Sequence, residues 1–418
     1  MANTYDSYKD SGIAWIGDIP SGWEIKRLGN FYNPRNEKVS DKDFPPLSVT
    51  MKGIVPQLET AAKTDDGDNR KLVKKGDFAI NSRSDRRGSC GISDYDGSVS
   101  LINTVLCPKG QMNAGFYNWL FHTSMFADEY YKWGHGIVDD LWTTKWSDMK
   151  NICVVVPSLE EQSSIATFLD QKCAEIDSLI SLQEEMISEL QAYKQSIITE
   201  AVTKGLDKDV KMKDSGVEWI GEIPENWEVF KIKQILRNKS IKNFPNEMVL
   251  SLYRDLGIVP KDSRDDNHNV TSEDTASYKL VEKGDFVLNK MKAWQGSMAV
   301  SDYRGIISPA YYICEFKRQD LDRKYIHYLL RNESYKPEYL RLSTGLRVGQ
   351  WDLNIDTFLN IPMIFPSLQE QFRIATYLDT KTAEIDSLIA LKQQKITELK
   401  DYKKSIIYEY VTGKKEVV

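Results

Sequence analysis

Histidine is scarce, at four residues in 418 (His122, His135, His268 and His327), and no pair has H-x-x-x-H spacing. The five cysteines, 90, 107, 153, 173 and 314, are odd in number, scattered and never C-x-x-C. These absences exclude a metal site of the usual zinc or EF-hand spacing and predict no disulfide framework. No G-x-x-x-x-G-K-[ST] is present, and no G-x-G-x-x-G follows an apolar run, so neither ATP nor a dinucleotide has its usual cradle. The Asn- or Asp-Pro-Pro-aromatic tetrapeptide of amino-methyltransferases is missing; Phe44-Pro-Pro-Leu47 does not supply it. No stretch nears the roughly 20 apolar residues of a membrane span. The start, Met1-Ala-Asn-Thr-Tyr-Asp6, is neither basic nor apolar, which predicts no secretory signal and a cytoplasmic location.

What remains is an ordinary globular composition, 41% hydrophobic, 11% aromatic and 28% charged, on a chain long enough for two or three domains. A net charge of −6 argues, on average, against a polyanionic partner. The average misleads, because the segment charges are −1 for residues 1–156, −6 for 157–204, 0 for 205–365 and +1 for 366–418. The acidity sits in one short stretch, and the near-neutral blocks remain able to display local basic patches.

The chain is two copies of one plan. Lys9 to Leu28 recurs as Lys213 to Ile232 with 11 of 20 positions identical, and Pro157 to Gly205 recurs as Pro366 to Lys414 with 30 of 49 identical. Between these anchors only landmarks match, such as Gly53-Ile-Val-Pro56 with Gly257-Ile-Val-Pro260, and Lys75-Gly-Asp-Phe78 with Lys283-Gly-Asp-Phe286. The frame is kept and the middles diverge.

The segment after each middle predicts a long helix. Ser158 with Glu161, and Ser367 with Glu370, have the spacing of a capping box. Leu169, Ile176, Leu190 and Ile197 follow a heptad, with Leu179, Met186 and Tyr193 between them; Leu378, Ile385, Leu399 and Ile406, with Leu388 and Tyr402, repeat it. Gln183 and Lys392 interrupt the seam at a core-type position, a device that fixes register. At about 1.5 Å per residue each rod is on the order of 60 Å long.

The middles show short apolar runs, Phe78–Ile80, Cys153–Val156, Phe286–Leu288 and Tyr311–Cys314, with two helical stretches, Ala114 to Tyr131 and Arg323 to Tyr339. They predict mixed α/β globules of about 130 residues. The first rod ends shortly before Ser215-Gly-Val-Glu-Trp-Ile, the doorway of the second globule. Paired rods must then run antiparallel with a globule at each end, a dumb-bell with a pseudo-two-fold axis. The doorway Ser11-Gly-Ile-Ala-Trp-Ile is expected beside the end of the second rod.

Two matched loops carry the candidate chemistry. Asn81-Ser-Arg-Ser-Asp-Arg-Arg-Gly88 and Asn289-Lys-Met-Lys-Ala-Trp-Gln-Gly296 both follow the Lys-Gly-Asp-Phe turn, with different side chains in one place. Ser82, Arg83, Arg86 and Arg87, and Lys290, Lys292, Trp294 and Gln295, are candidate DNA contacts. Arg can fork to guanine, Gln can pair with adenine, Lys and Ser can hold phosphate, and Trp offers a stacking face. Against this stands a solvated surface turn. Gly134-His-Gly-Ile-Val-Asp-Asp-Leu-Trp142 and Ser343-Thr-Gly-Leu-Arg-Val-Gly-Gln-Trp351 form the second pair, with His135, Thr344 and Arg347 as candidate contacts; Trp142 and Trp351, being shared, are expected in a core. Asp18, Glu24 and Lys26 mimic the D…E-x-K set of Mg²⁺ nucleases, but Glu222, Glu228 and Phe230 drop the lysine in the second copy, which favours packing over catalysis.

Two copies of S-G-x-x-W-I-G-x-I-P-x-x-W (Ser11 to Trp23, Ser215 to Trp227), each followed by a variable domain and then by P-S-L-x-E-Q-x-x-I-A-x-[FY]-L-D-x-K (Pro157 to Lys172, Pro366 to Lys381), resemble the specificity subunit of a type I restriction-modification system. The resemblance covers nearly the whole chain. Leu288 to Gly296 and Ser308-Pro-Ala-Tyr311 are also similar to that family's target-recognition domains, whereas Arg-Ser-Asp-Arg-Arg departs from them in the first copy.

The resemblance implies an α+β fold. Its expected parts are target-recognition domains over 1–156 and 205–365 and an antiparallel coiled coil of conserved long helices over 157–204 and 366–418. It implies a non-catalytic DNA reader, each domain reading one half of an asymmetric bipartite sequence, with the helices as spacer. Expected partners are double-stranded DNA, methylation subunits (two per chain) and restriction subunits. No cofactor is expected on this chain, S-adenosylmethionine, ATP and Mg²⁺ belonging to the partners, and the compartment is the bacterial cytoplasm, with nucleoid association through DNA. Glu160, Glu161, Glu184, Glu185 and Glu189 on the acidic first rod are a candidate partner-docking face, or simply a solvated one. A coiled-coil scaffold that binds proteins and reads no DNA is the alternative.

Overall fold

The structure is a computed structural model and describes residues 4–58, 67–83, 86–136, 142–254, 256–263, 275–345 and 351–417. It divides into two compact units, Met1–Glu184 with Gln393–Val418, and Glu185–Lys392. Each unit holds one globule, the first half of the long helix that follows it, and the last half of the other long helix. No helix among the described residues is long and apolar enough to cross a membrane.

In the first unit a hairpin, Tyr8–Asp10 with Asp18–Pro20, leads to strand Glu24–Arg27, which pairs antiparallel with Cys153–Val156 just ahead of the long helix. The central sheet is antiparallel in the order Cys90–Ile92, Phe78–Asn81, Asn103–Pro108, Tyr32–Pro34. The second unit repeats this with hairpin Met212–Asp214 and Glu222–Pro224, strand Glu228–Lys231 on Pro362–Phe365, and the sheet Met298–Val300, Phe286–Asn289, Tyr311–Phe316, Leu236–Lys239. All four apolar runs singled out in the sequence lie in strands.

Each expected middle helix is broken in two. Ala114–Phe121 stops and Ser124–Lys132 restarts because the Thr123 side chain accepts from Phe126 N and caps a new helix. Arg323–Arg331 likewise gives way to a short 3₁₀ turn and then Lys336–Leu342, with Asn332 accepting from Ser334 N and Pro337 in the first helical turn.

The long helices, Leu159–Lys204 and Leu368–Val411, match their expected limits. Ser158 and Glu161 exchange the two capping-box hydrogen bonds, at 3.2 Å each. In the first unit Phe168 meets Tyr410, ring centroids 4.4 Å apart, and Asp177 pairs with Lys403 at 2.7 Å. In the second, Lys194 pairs with Asp386 at 2.7 Å and Met186 meets Lys392. Stepping forward along one helix steps backward along the other, so within each unit the pairing is antiparallel.

The seam corrects half of the heptad reading. Leu169, Ile176, Ile197, Leu378, Ile385 and Ile406 are buried as expected. The second column is Cys173 and Ile180, with Thr382 and Ile396 on the other helix, all buried. Leu179 (47% exposed), Tyr193 (58%), Leu388 (48%) and Tyr402 (55%), expected on the seam, stand in solvent with Met186. A seam residue is followed by its partner column four positions on, at Ile180; the residue three positions on, Leu179, points to the flank.

Each globule is welded to its helix by the same side chains. Gln162 and Gln371, buried in the E-Q step of the shared motif, donate to Pro157 O and Pro366 O at 2.9 and 2.8 Å. Their amide oxygens accept from Asn113 N and Asp322 N, both at 2.9 Å, at the caps of the middle helices. In the second unit one apolar core joins Trp227, Phe286 and Tyr325 of the globule to Val202, Leu378 and Ile385 of the helices. In the first, Lys414 Nζ at the end of the second long helix donates to Ile16 O at 2.9 Å, and a Cβ on Gly413 would lie 2.3 Å from Pro20. The N-terminal doorway therefore sits where the sequence places it.

Candidate nucleic-acid interface

The turn Lys-Gly-Asp-Phe launches each variable loop. Asp77 accepts from Lys74 N at 2.9 Å and takes two hydrogen bonds from the Arg35 guanidinium, at 2.6 and 3.0 Å. Asp285 accepts from Glu282 N and pairs with Lys239, both at 2.7 Å. Burial pushes the Asp285 carboxyl above its usual range, and Lys239 works against that shift. The aspartates are thus structural posts, tying the start of the central strand to its sheet.

From that strand both loops leave identically. Asn81 Oδ1 accepts from Arg83 N at 3.1 Å, and Asn289 Oδ1 from Met291 N at 3.0 Å. Both close on a glycine in the left-handed region, Gly88 at φ 75° and Gly296 at φ 77°.

The second matched loop comes to the first. Thr144 N donates to Ser82 O at 3.0 Å, and Leu353 N to Lys290 O at 3.0 Å. Thr143 exchanges backbone hydrogen bonds with His135, both at 3.1 Å, and forms a bridge with Arg83. Thr344 and Asp352 form the same ladder in the second unit, at 3.1 and 2.8 Å. Two stretches more than 50 residues apart in the chain therefore make one surface in each unit, with Arg83 and His135 on one, and Lys290 and Thr344 on the other.

On that surface the side chains differ. Ser82 is buried, and its hydroxyl donates to Ile102 O, which makes it an anchor of the loop. Arg86 and Arg87 are exposed; Arg87 pairs with Asp128 and lies over the Tyr131 ring at 5.9 Å. Lys292 and His135 are exposed, and Lys290 stands 4.0 Å from Asp352. Trp294 is half-buried, its Nε1 donating to Met291 O at 3.2 Å, and its ring meets Trp351 edge-on at 5.1 Å. Trp351, expected in a core, supports the loop instead, and Trp142 is only half-buried. Thr344 is exposed and Gln295 half-buried, while Arg347 lies outside the described residues.

Glu161 is engaged within its own unit, accepting from Trp23 Nε1 at 3.0 Å as well as capping its helix. Glu160, Glu184, Glu185 and Glu189 are exposed. The nuclease-like trace does not assemble: Glu24 pairs with Lys26 at 2.5 Å, and Lys414 donates to the backbone carbonyl of Asp18. Among the described residues no group of three or more His, Cys, Asp or Glu is placed to hold a metal ion.

Sequence reasoning missed the two amides Gln162 and Gln371, although both lie in the repeated motif, and missed the convergence of the two loops. Only their matched order in the two copies hinted at it.

Comparison with known proteins agrees with this arrangement. Residues 224–401 match the family model of the type I restriction modification DNA specificity domain. The chain is 26% identical over 424 residues to the type I restriction enzyme MjaVIII specificity subunit of Methanocaldococcus jannaschii, covering 95% of this chain and 93% of that protein. It is 22% identical to the putative MjaX specificity subunit of the same organism, covering 96% and 95%. A solved chain from a type I R-M system, studied for its complex assembly and conformational transition, has the same fold, with a TM-score of 0.70 at 16% identity over 94% of this chain and 98% of that one. The HsdS subunit of Thermoanaerobacter tengcongensis aligns with a TM-score of 0.54 at 18% identity, with coverage of 94% and 98%. The fold, the duplicated frame and these relatives define a DNA specificity subunit, a non-catalytic component of a larger enzyme. The chain belongs to the specificity subunits of type I restriction-modification systems.

Proposed function

We propose that each variable domain reads one half of an asymmetric, bipartite DNA sequence, and that the paired helices set the spacing between the halves. The observation that supports this is the loop pair. On one frame, built from the same turn, the same Asx turn and the same closing glycine, the first domain presents Arg83, Arg86, Arg87 and His135, and the second presents Lys290, Lys292, Trp294, Gln295 and Thr344. An identical scaffold carrying unlike donors and faces is what two different base sequences require. Arg347 belongs to the same proposed set, and Ser82 positions the first loop. The domain limits are 1–156 and 205–365, with the helices over 157–204 and 366–418 as spacers.

The partners in this reading are duplex DNA, two methylation subunits and the restriction subunits, with S-adenosylmethionine, ATP and Mg²⁺ held by those companions in the cytoplasm. The docking face combines Glu160, Glu184, Glu185 and Glu189 with the exposed apolar column Leu179, Leu182, Leu388 and Leu391, which recurs at the same offset in both helices. An apolar stripe repeated in both copies and left outside the seam fits a protein partner better than solvent does.

Methylome sequencing of the host with and without this gene tests the reading. A split, asymmetric motif is expected to vanish on deletion, and an unchanged methylome in an active system overturns it. Fluorescence anisotropy of the chain with its methylation partner on duplex DNA separates the reader from a pure scaffold, which would not bind.

A further inference from the structure

The second unit contains a cleft of about 960 Å³ that begins where its recognition loop ends, at Gln295 and Gly296. Its other walls come from both long helices, the middle helices and the end of hairpin Leu250–Tyr253 with Gly257–Pro260. Four cationic side chains line it, Lys194, Arg254, Arg331 and Lys336, against two carboxylates, Glu333 and Asp386. Each carboxylate is matched by one of the cations, Lys194 with Asp386 at 2.7 Å and Lys336 with Glu333 at 2.5 Å. The lining is therefore positive by two charges, and its remaining groups are mostly amides and hydroxyls. A hydrated anion suits such walls better than an apolar ligand.

The positive charge is particular to this copy. The middle helices superimpose in pattern, since Asn118 Oδ1 accepts from Ile92 N where His327 Nδ1 accepts from Val300 N, both at 3.2 Å. On that correspondence Arg331 and Lys336 stand where the first copy has His122 and Ala127, and Arg254 follows its strand where the first copy has Met51. The frame pair, by contrast, is shared, with Lys194 and Asp386 matched by Lys403 and Asp177. Three cations from three separate elements thus converge where a purely structural cleft needs none. Lys336 also runs along the recognition loop itself, because a Cβ on Gly296 would lie 2.9 Å from Lys336 Cε.

We propose that this cleft is a phosphate-binding site that grips the DNA backbone beside the half-site read by the second domain. The inference rests on the reading of the loop as a DNA contact. Backbone phosphates of a duplex whose bases meet Lys292 and Trp294 pass within reach of the adjoining cations, and such contacts add affinity and register without reading sequence. The second domain then contributes more of the salt-dependent binding than the first.

The test compares the full chain, assembled with its methylation partner, as wild type and as the Arg254→Gln/Lys336→Gln double variant. Anisotropy is measured across a salt series on a duplex carrying the methylated target and on a scrambled duplex. The expected result is a slope of log affinity against log salt smaller in magnitude by roughly one to two on both duplexes, with target-to-scrambled discrimination unchanged. Lys336→Arg, which keeps the charge, should keep the wild-type slope, and this separates loss of charge from loss of fold. An unchanged slope in the double variant, with duplex binding intact, overturns the cleft and leaves the recognition loops standing; absence of duplex binding by the wild type overturns both. Calorimetry with inorganic tripolyphosphate distinguishes the source. Saturable binding lost in the double variant, beside an unaltered DNA slope, assigns the site to a free phosphate ligand and overturns the backbone clamp.

Discussion

Trp294 stands edge-on to Trp351, ring centroids 5.1 Å apart and planes at 69°. One indole belongs to the variable loop and the other to the segment leading into the second long helix, so the frame holds the reading face by an aromatic pair. Trp294→Ala should weaken binding by roughly tenfold or more when the second half-site is intact, about 1–3 kcal/mol for a lost base contact. Duplexes altered in one half at a time would report it. Equal loss on both halves would argue against separate readers.

Arg83 and Arg86 make the complementary case. Either residue changed to Ala should cost about 1–3 kcal/mol of discrimination at the first half-site alone, if its guanidinium forks to a guanine. The same panel of duplexes, titrated at fixed salt, measures this, and the two sets of variants should act on opposite halves.

His327 predicts a pH dependence of stability. The imidazole is buried, and burial with the neighbouring Arg331 charge lowers its pKa from 6.5 to about 3. The unfolded chain therefore binds a proton below about pH 6.5 that the folded unit refuses. Stability from this group is complete above that pH and is lost as pH falls from there towards 3, about 2 kcal/mol by pH 5. His327→Asn keeps an acceptor for Val300 N, as Asn118 does for Ile92 N, and should flatten the dependence. Urea titrations at pH 7 and pH 5 check it.

The helix flanks and the seam should respond differently. Leu169→Ala, at a fully buried position, is expected to cost 2–5 kcal/mol. Leu179→Ser with Leu388→Ser, both about half exposed, should leave thermal unfolding of the chain nearly unchanged and weaken its association with the methylation subunit, read by calorimetry. A normal association would remove the apolar column from the docking face.

The frame was legible because duplication writes it twice. Thirty identities in 49 positions marked both long helices, and their limits agree with the structure. The heptad was legible only in one column, since Leu179 and Ile180 are both apolar and periodicity alone does not say which turns inward. Thr123 and Asn332 broke the middle helices because a capping side chain outweighs a run of helix formers, a local competition that composition hides. The loops were found by divergence at matched positions. Their convergence on one surface depends on backbone pairing between Ser82 and Thr144, and between Lys290 and Leu353, which is a tertiary fact. The cationic cleft escaped notice for the same reason, its charges being scattered between residues 194 and 336.

Gln162 and Gln371 turn a side-chain amide into an angle-setting brace. Each holds the first turn of a long helix and the cap of a globular helix in one grip, so the bearing of a reading surface against its strut is fixed by a few covalent bonds. Shortening either to Asn would re-aim the domain without touching any DNA-facing group, and a change of target preference can therefore originate at the hinge.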